Sequence, residues 1–213
     1  MELYGYFRSS AAFRVRIALN LKGLAYDRSY IHLRKNDQQS PTYLKLNPQG
    51  LVPSLITDGQ TLTQSLAIIE YLDETHPAPA LLPSDALGRA RARALAQAVA
   101  CDIHPIDNLR VLQFLSRNLK QGEKEVELWF NHWIKTGFDG IEQMMATDGK
   151  TGKFCHGDQP GVADICLVPQ VFNARRYPSF DLTPYPTIMR VYENCMKLAA
   201  FIDAAPESQP DAE

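Results

Sequence analysis

Two serines stand between two arginines near the start of the chain, in a segment that turns from a strand into a helix. The segment reads FRSSAAFRVRIALNLKG and includes Arg8, Ser9, Ser10 and Arg14. In such a turn a hydroxyl and the first N–H groups of the helix point to the same place, which favours an anion such as a thiolate. Simple N-capping is the commoner use of serine and remains the alternative. Arg8 favours the anion, because a cation there opposes the helix dipole unless an anionic ligand is expected nearby.

A second group of candidates lies in the stretches LVPSL and QSLAIIEYL. Pro53 is either an ordinary proline at the start of a strand or follows a cis bond that leaves the N–H and C=O of Val52 to an extended peptide ligand. Ser65 falls at the N-cap or first turn of a helix, where unpaired N–H groups suit a carboxylate. Capping explains Ser65 about as well, but it does not explain the amide of Gln64.

The composition is that of an ordinary globular protein. The chain has 213 residues, 45% of them hydrophobic and 22% charged, which predicts one or two domains with a real core. The net charge of −2 gives no support to nucleic-acid binding. We see neither a signal peptide nor an apolar run long enough for a bilayer, so we expect a cytoplasmic protein without a membrane partner. The scattered cysteines, with no C-x-x-C pair, predict reduced, buried thiols and no metal site; they are Cys101, Cys155, Cys166 and Cys195.

The first part of the chain, residues 1–76, has the pattern of a small α/β domain with a mixed sheet. ELYGY and AYDRSYI favour strands, separated by a helix over Ala11–Lys22 that Gly23 ends. A short helix or turn is expected over Gln38–Leu46. VPSLIT and TLT form a hairpin around Asp58-Gly59, which must be antiparallel. SLAIIEYLDETH has apolar residues at helical spacing.

Beyond a proline-rich linker at 77–84 the pattern is helical, so residues 85–213 are expected to form an all-helical domain. Ser84 is a candidate cap for a helix beginning at Asp85. One long helix should bury a single face; its members are Val126, Phe130, Trp133, Gly137, Ile141 and Met144. Three arginines at alternate positions are expected to be solvated; they are Arg89, Arg91 and Arg93.

The stretch DIHPIDNLR in this second part combines a proline with several polar side chains. Pro105 should kink the helix. His104 and Asn108 are four residues apart and should share a face, with Arg110 to one side. A solvated polar face is the usual interpretation of such a run. The wall of a substrate pocket is the other, and Arg176 could reach the same pocket from a later helix.

Several of these stretches resemble the zeta class of the glutathione transferase superfamily, and the resemblance runs over nearly the whole chain. They are YFRSS, RVRIALNLKG, LNPQGLVPSL, QSLAIIEYLDE, CLVPQVFNARR, DLTPYP and QPD. The resemblance implies a thioredoxin-like first domain, a helical-bundle second domain, glutathione as cofactor and a homodimer. It also implies cis–trans isomerisation of maleylacetoacetate in tyrosine and phenylalanine catabolism. Isomerisation of maleylpyruvate, general glutathione transfer and a non-enzymatic interaction role on the same fold are the alternatives.

By position, the resemblance makes Ser9 and Ser10 catalytic, with Ser9 activating the glutathione sulfur. The other positions it assigns to glutathione are Gln38, Val52, Pro53, Gln64, Ser65, His104 and Asn108. The substrate is a small dicarboxylic keto acid. Arg8, Arg110 and Arg176 are candidates for its carboxylates, since a guanidinium binds a carboxylate bidentately.

The chain departs from the zeta-class pattern at two positions. The class motif is S-S-C, and here Ala11 replaces the cysteine. Chemistry that uses the sulfur of glutathione itself is expected to survive this change. In GVAD, Gly161 stands where the class usually has Ser or Thr before the core aspartate, Asp164. Glycine is a tolerable cap, and we expect the Asp164 carboxylate to accept N–H bonds in the turn.

Overall fold

The computed structural model describes residues 1–213. The chain divides into two compact units, one of Met1–Leu81 together with Met196–Glu213 and one of Leu82–Cys195. The sequence pattern predicts one helical domain for all residues after 84. The structure instead groups the last segment of the chain with the first unit.

The first unit holds a mixed four-stranded sheet, as predicted. Its strands are β1 Glu2–Gly5, β2 Asp27–Tyr30, β3 Ser54–Thr57 and β4 Gln60–Thr63. Their order is β2-β1-β3-β4; β1 pairs parallel with β2 and antiparallel with β3, and β3 pairs antiparallel with β4. Asp58 and Gly59 form the hairpin turn with φ of 49° and 73°, the left-handed conformations that a two-residue turn between twisted strands requires.

Three helices accompany this sheet, and the first of them buries most of its side chains. They are α1 Ser10–Leu21, α2 Pro41–Leu46 and α3 Ser65–Thr75. Leu55 of β3, Phe13 of α1 and Leu72 of α3 are all at most 1% exposed, so the core lies between the sheet and these helices. Gly23 ends α1 as predicted, with φ of 66° and its N–H donating to Asn20 O at 3.0 Å.

The second unit is helical. Its helices are α4 Ala86–Gln97, α5 His104–Asp107, α6 Leu109–Gln113, α7 Glu123–Thr147, α8 Val162–Ala174 and α9 Pro186–Cys195. The wider turns Ala98–Ile103 and Phe114–Asn118 are π-helical. A short helix in the C-terminal segment, α10 Ala199–Ile202, belongs to the first unit. The cap of α4 is Asp85, whose Oδ1 accepts the Gly88 N–H at 2.8 Å; Ser84 was therefore the wrong cap, by one residue.

The buried face of α7 differs in part from the expected one. It consists of Val126, Phe130, Ile134, Phe138, Ile141 and Met145. Trp133 is half-buried, and Met144, the last residue of the expected list, is 40% exposed. The expected spacing mixed two adjacent rows of the helix surface. Gly137 does lie on a packed surface of α7, because a Cβ at this position would collide with the side chain of Ile103.

Three further expectations concern cysteines, an arginine and the membrane. Cys101 is exposed, whereas the other three cysteines are buried as expected. Arg91 is not simply solvated: it pairs with Asp148 and donates to Cys155 O at 2.6 Å. No helix in the structure has the length and apolar character that a membrane span needs.

Candidate active site

Ser9 is the N-cap of α1. Its Oγ accepts the Ala12 N–H at 3.2 Å, and its own N–H donates to Tyr6 O at 3.0 Å. The capping interpretation therefore holds. The first turn of α1 contains no acidic residue, so the N-terminal charge of the helix is not neutralised from within it. Ser10 is the first helical residue and is buried, and Arg8 is exposed.

The N-terminus of α3 forms a second candidate anion site in the same unit. Gln64 is the N-cap but makes no capping bond with its side chain; it has a φ of 67° and donates from Nε2 to Gln49 Oε1 at 3.0 Å. Ser65 is the first helical residue and is buried. A left-handed glutamine stores backbone strain, which is a frequent mark of a functional position. The amide of Gln64 is thus held outward rather than used to cap the helix.

A buried guanidinium connects these two helix starts. Arg14 of α1 is 2% exposed and donates from Nη1 to Ser65 Oγ at 3.3 Å. In the sequence, Arg14 stands out only as a flank of the serine pair. Its burial has no local signal, because Ser65 lies 51 residues away along the chain.

The segment just before β3 lies between these two helix starts in the sequence. It has the cis peptide bond that was one of the two alternatives for Pro53. The Val52–Pro53 bond is cis. Val52 packs in a small apolar cluster with Tyr6, Phe7 and Tyr43.

Gln38 lies in the short 3₁₀ turn Asp37–Gln39. Its Nε2 donates to Asn36 Oδ1 at 3.1 Å. Its Oε1 is shielded from solvent and has no hydrogen-bond partner within the chain. Such an atom is costly to leave unpaired, and a ligand N–H would satisfy it.

In the second unit, His104 and Asn108 were predicted to share one helical face, but they do not. α5 ends at Asp107, and Asn108 is extended, with φ of −76° and ψ of 164°. Asn108 instead caps α6, where its Oδ1 accepts the Arg110 N–H at 3.1 Å. The expected kink at Pro105 takes the form of a π turn before it and this break after it, since proline offers no N–H to a regular helix. Arg110 is exposed.

Arg176 lies after the end of α8, not within a helix as expected. Its N–H donates to Asn173 O at 3.0 Å. Its guanidinium lies 5.9 Å from the ring centroid of Phe130 and 5.7 Å from that of Tyr177. Stacking of this kind orients a guanidinium while leaving its N–H groups at the edge free to bind a carboxylate.

Asp107 is a buried acid that the sequence pattern does not reveal. It is 2% exposed, and neither carboxylate oxygen has a hydrogen-bond partner. Burial raises its pKa to about 8, so the carboxyl is mostly neutral at neutral pH. In the sequence it looked like one more member of a solvated polar run, and nothing in the local pattern signals its burial.

Asp164 has the structural role that was expected of it. It is 1% exposed, its Oδ2 accepts the Gly161 N–H at 2.9 Å and its Oδ1 accepts the Cys155 N–H at 2.8 Å. Burial raises its pKa, and these N–H bonds oppose the rise.

Comparison with known protein families identifies the class of protein that this fold and site define. Residues 3–80 match the glutathione S-transferase N-terminal domain and residues 126–196 the glutathione S-transferase C-terminal domain. The chain therefore belongs to the glutathione S-transferase family, with a thioredoxin-like first domain and a helical second domain.

Within this family, the chain is most informatively compared with individual relatives whose activity is named. The chain is 48% identical, over 99% of its length and 97% of the relative's, to a probable maleylacetoacetate isomerase of Vibrio cholerae. A bacterial zeta-class maleylpyruvate isomerase, solved in its holo form, superimposes with a TM-score of 0.98 at 50% identity, covering both chains fully. A maleylacetoacetate isomerase of Methylobacterium extorquens, solved with malonate and GSH, gives a TM-score of 0.96 at 43% identity and also covers both chains fully.

Proposed function

We propose that the chain is a glutathione-dependent cis–trans isomerase that converts maleylacetoacetate to fumarylacetoacetate. The observation that carries this proposal is the start of α1, where the Ser9 hydroxyl caps a helix that has no acid in its first turn. A helix N-terminus of this kind stabilises an external anion. The names of the relatives support both the cofactor and the reaction.

The residues present fit glutathione. Three features of the first unit are suited to a γ-glutamyl tripeptide: the hydroxyl of Ser9, the outward amide of Gln64 beside Ser65, and the unpartnered oxygen of Gln38. We propose that Ser9 binds the sulfur, with Ser10 beside it, that Gln64 and Ser65 hold the γ-glutamyl carboxylate, and that Gln38 binds the glycine end. The backbone of Val52, set by Pro53, pairs with the cysteinyl part.

When bound, glutathione would supply a thiolate for reversible addition to the cis double bond, which is the chemistry that permits rotation about it. The hydroxyl of Ser9 donates a hydrogen bond to the sulfur and so favours its ionised form. The guanidinium groups of Arg8, Arg110 and Arg176 bind the substrate carboxylates and attract a dianion. His104 and Asn108 are proposed to contact glutathione.

Turnover of maleylacetoacetate followed by ultraviolet absorbance, with and without glutathione, tests the proposal. We expect isomerisation only when glutathione is present. Turnover that persists without glutathione would contradict it. Maleylpyruvate isomerisation is the second candidate, favoured by the 50% identity to the structure of a maleylpyruvate isomerase. A larger kcat/KM for maleylpyruvate would select it.

The role of Arg176 is tested separately by Arg176→Ala. We expect KM for the dianionic substrate to rise by about tenfold, the cost of roughly one charge-assisted hydrogen bond. Arg175→Ala is the control, since Arg175 donates instead to Tyr192 Oη at 3.1 Å. An unchanged KM in the Arg176 variant would remove this residue from the substrate site.

We further propose that the protein is a homodimer and that it is located in the cytoplasm. Sedimentation equilibrium tests the oligomeric state.

A further inference from the structure

The turn that carries Ser9 is held through the backbone of Phe7. The Phe7 N–H donates to Asp211 Oδ2 at 3.0 Å, a bond between residues 204 positions apart. The Phe7 carbonyl accepts a hydrogen bond from Arg16 Nη2 at 2.9 Å. Both polar groups of one residue, two positions before Ser9, are therefore fixed by groups outside the turn.

Arg16 joins the turn to the C-terminal segment. It is 4% exposed, and its Nε donates to Ala204 O at 2.9 Å while Nη1 donates to Tyr6 O at 3.4 Å. Burial lowers its pKa to about 10, so the guanidinium stays charged at neutral pH. A single buried cation thus binds carbonyls of both the turn and the segment that brings Asp211 to it.

The C-terminal segment is itself ordered by hydrogen bonds, although chain ends commonly fray. Gln209 is buried, and its Nε2 donates at 2.9 Å to Asp203 O and at 2.9 Å to Ala205 O. Asn20 of α1 donates to Ala200 O at 3.1 Å. These bonds fix the direction of the chain just before Asp211, so that its carboxylate meets the Phe7 N–H.

We propose that Asp211 is a positioning residue for Ser9, so that the C-terminal segment sets how well the first unit binds and ionises the glutathione thiol. This inference rests on the proposed role of Ser9 as the ligand of the sulfur. The Ser9 N–H donates to Tyr6 O at 3.0 Å, which couples its position directly to the fixed turn. A hydroxyl that must serve both the Ala12 N–H and a sulfur tolerates little displacement, because hydrogen bonds weaken steeply with distance and angle.

The test measures the thiolate absorbance of bound glutathione against pH, together with its Kd, in Asp211 variants. Asp211→Ala removes the acceptor, and we expect a rise of about half a pH unit to one unit in the thiol midpoint and about fivefold to tenfold weaker binding. Asp211→Asn keeps an acceptor oxygen and should stay within about twofold of the wild type. Glu207→Ala, which removes an exposed acid from the same segment, should change neither quantity.

Ser9→Ala and the double variant with Asp211→Ala separate the two levels of the proposal. If Asp211 acts through Ser9, its replacement should add no shift in the midpoint once the hydroxyl is gone. A midpoint that moves in Ser9→Ala but stays fixed in Asp211→Ala overturns the positioning role alone. A midpoint unmoved in Ser9→Ala overturns the proposed role of Ser9 itself. If Asp211→Ala does not fold, Asp211→Ser replaces it in the test. The serine side chain is one bond shorter, so its oxygen does not reach the Phe7 N–H, and the same outcomes decide the proposal.

Discussion

The starts of α1 and α8 show two ways to complete a helix N-terminus. At α8 the chain supplies an acidic side chain of its own, because the buried Asp164 carboxyl accepts the N–H groups of Gly161 and Cys155. At α4 the acid is the N-cap itself, since Asp85 Oδ1 accepts the Gly88 N–H. At α1 a neutral hydroxyl accepts one N–H, no acid follows in the first turn, and Arg8 precedes it.

This difference teaches that capping and ligand binding are compatible uses of one serine. Ser9 caps α1 and still leaves the positive end of the helix without a negative partner from the same turn. Where an aspartate is the cap, the helix charge is satisfied and the site is structural. A neutral cap therefore leaves the charge of the helix start available to an external anion, whereas an aspartate cap neutralises it.

Ser9→Asp should remove the difference between the start of α1 and the aspartate-capped start of α4. We expect it to have the largest effect on glutathione binding. Aspartate caps a helix as well as serine does, so we expect the variant to fold with a normal melting temperature. A carboxylate about 4 Å from a thiolate repels it by about 4 kcal/mol at an effective dielectric constant of about 20. Glutathione binding, measured by calorimetry, should weaken nearly a thousandfold. Ser9→Asn, an equally good cap without charge, is the control; equal binding by both variants would disprove the role of the uncompensated helix charge.

Asp164→Ala should have a different kind of effect: it should lower the stability of the fold and leave glutathione binding unchanged. It leaves the N–H groups of Gly161 and Cys155 without their acceptor in a buried place. We expect a loss of about 3 kcal/mol in the free energy of unfolding by urea, with the Kd for glutathione unchanged at temperatures where the variant is folded. Asp164→Asn retains one acceptor and should lose less. A loss below about 1 kcal/mol would show that water replaces the carboxylate.

Asp107 sharpens the comparison because it is a buried acid with no N–H partner at all. Its pKa is raised to about 8, against about 3.9 in an unfolded chain. Between these values the folded state keeps a proton that the unfolded chain loses, so stability falls as pH rises, by at most about 1.4 kcal/mol per pH unit. Above about pH 8 both states are ionised and this dependence ends.

Asp107→Asn should flatten that decline. The measurement is urea denaturation at several pH values between the two pKa values, with Asp102→Asn, an exposed acid, as the control. A wild-type stability that stays level or rises with pH across this range would show that the Asp107 carboxyl is solvated or paired in solution.

The first unit could be predicted from the sequence in most of its elements because its signals are local. The Asp58-Gly59 turn fixed the hairpin, and Gly23 marked the end of α1. Ser9 was placed correctly at the start of α1 for the same reason. The grouping of residues 196–213 with this unit could not be predicted, since it depends on bonds such as that between Phe7 and Asp211, which join opposite ends of the chain.

The second unit shows where local patterns fail. DIHPIDNLR has helical spacing, but the extended backbone of Asn108 breaks the helix because that side chain satisfies the next helix instead. The alternate arginines looked alike, yet Arg91 meets Asp148, 57 residues away. Burial of an isolated acid such as Asp107 is likewise decided by tertiary packing, for which its neighbours in sequence give no sign.

Cysteines introduced at matching positions of α1 and α4 test the difference between the two helix starts in the absence of glutathione. The expected difference, in the pKa of the two thiols, is the smallest effect predicted. Ala11 is the second residue of α1 and Leu87 the second residue of α4. In a Cys101→Ser background, which removes the exposed native thiol, Ala11→Cys should have a lower thiol pKa than Leu87→Cys. The helix charge is worth about 0.3–1 kcal/mol, or up to about 0.7 of a pKa unit, and Asp85 cancels part of it in α4.

The rate of alkylation against pH measures both thiol pKa values. Equal values would mean that the aspartate cap of α4 leaves its helix charge intact, and the contrast between binding and structural helix starts would then fail. A lower value for the thiol at position 11 would show that the start of α1 favours a thiolate by itself. The isomerase activity of Ala11→Cys should stay within about twofold of the wild type, because the reacting sulfur belongs to glutathione and the Ser9 hydroxyl is unchanged.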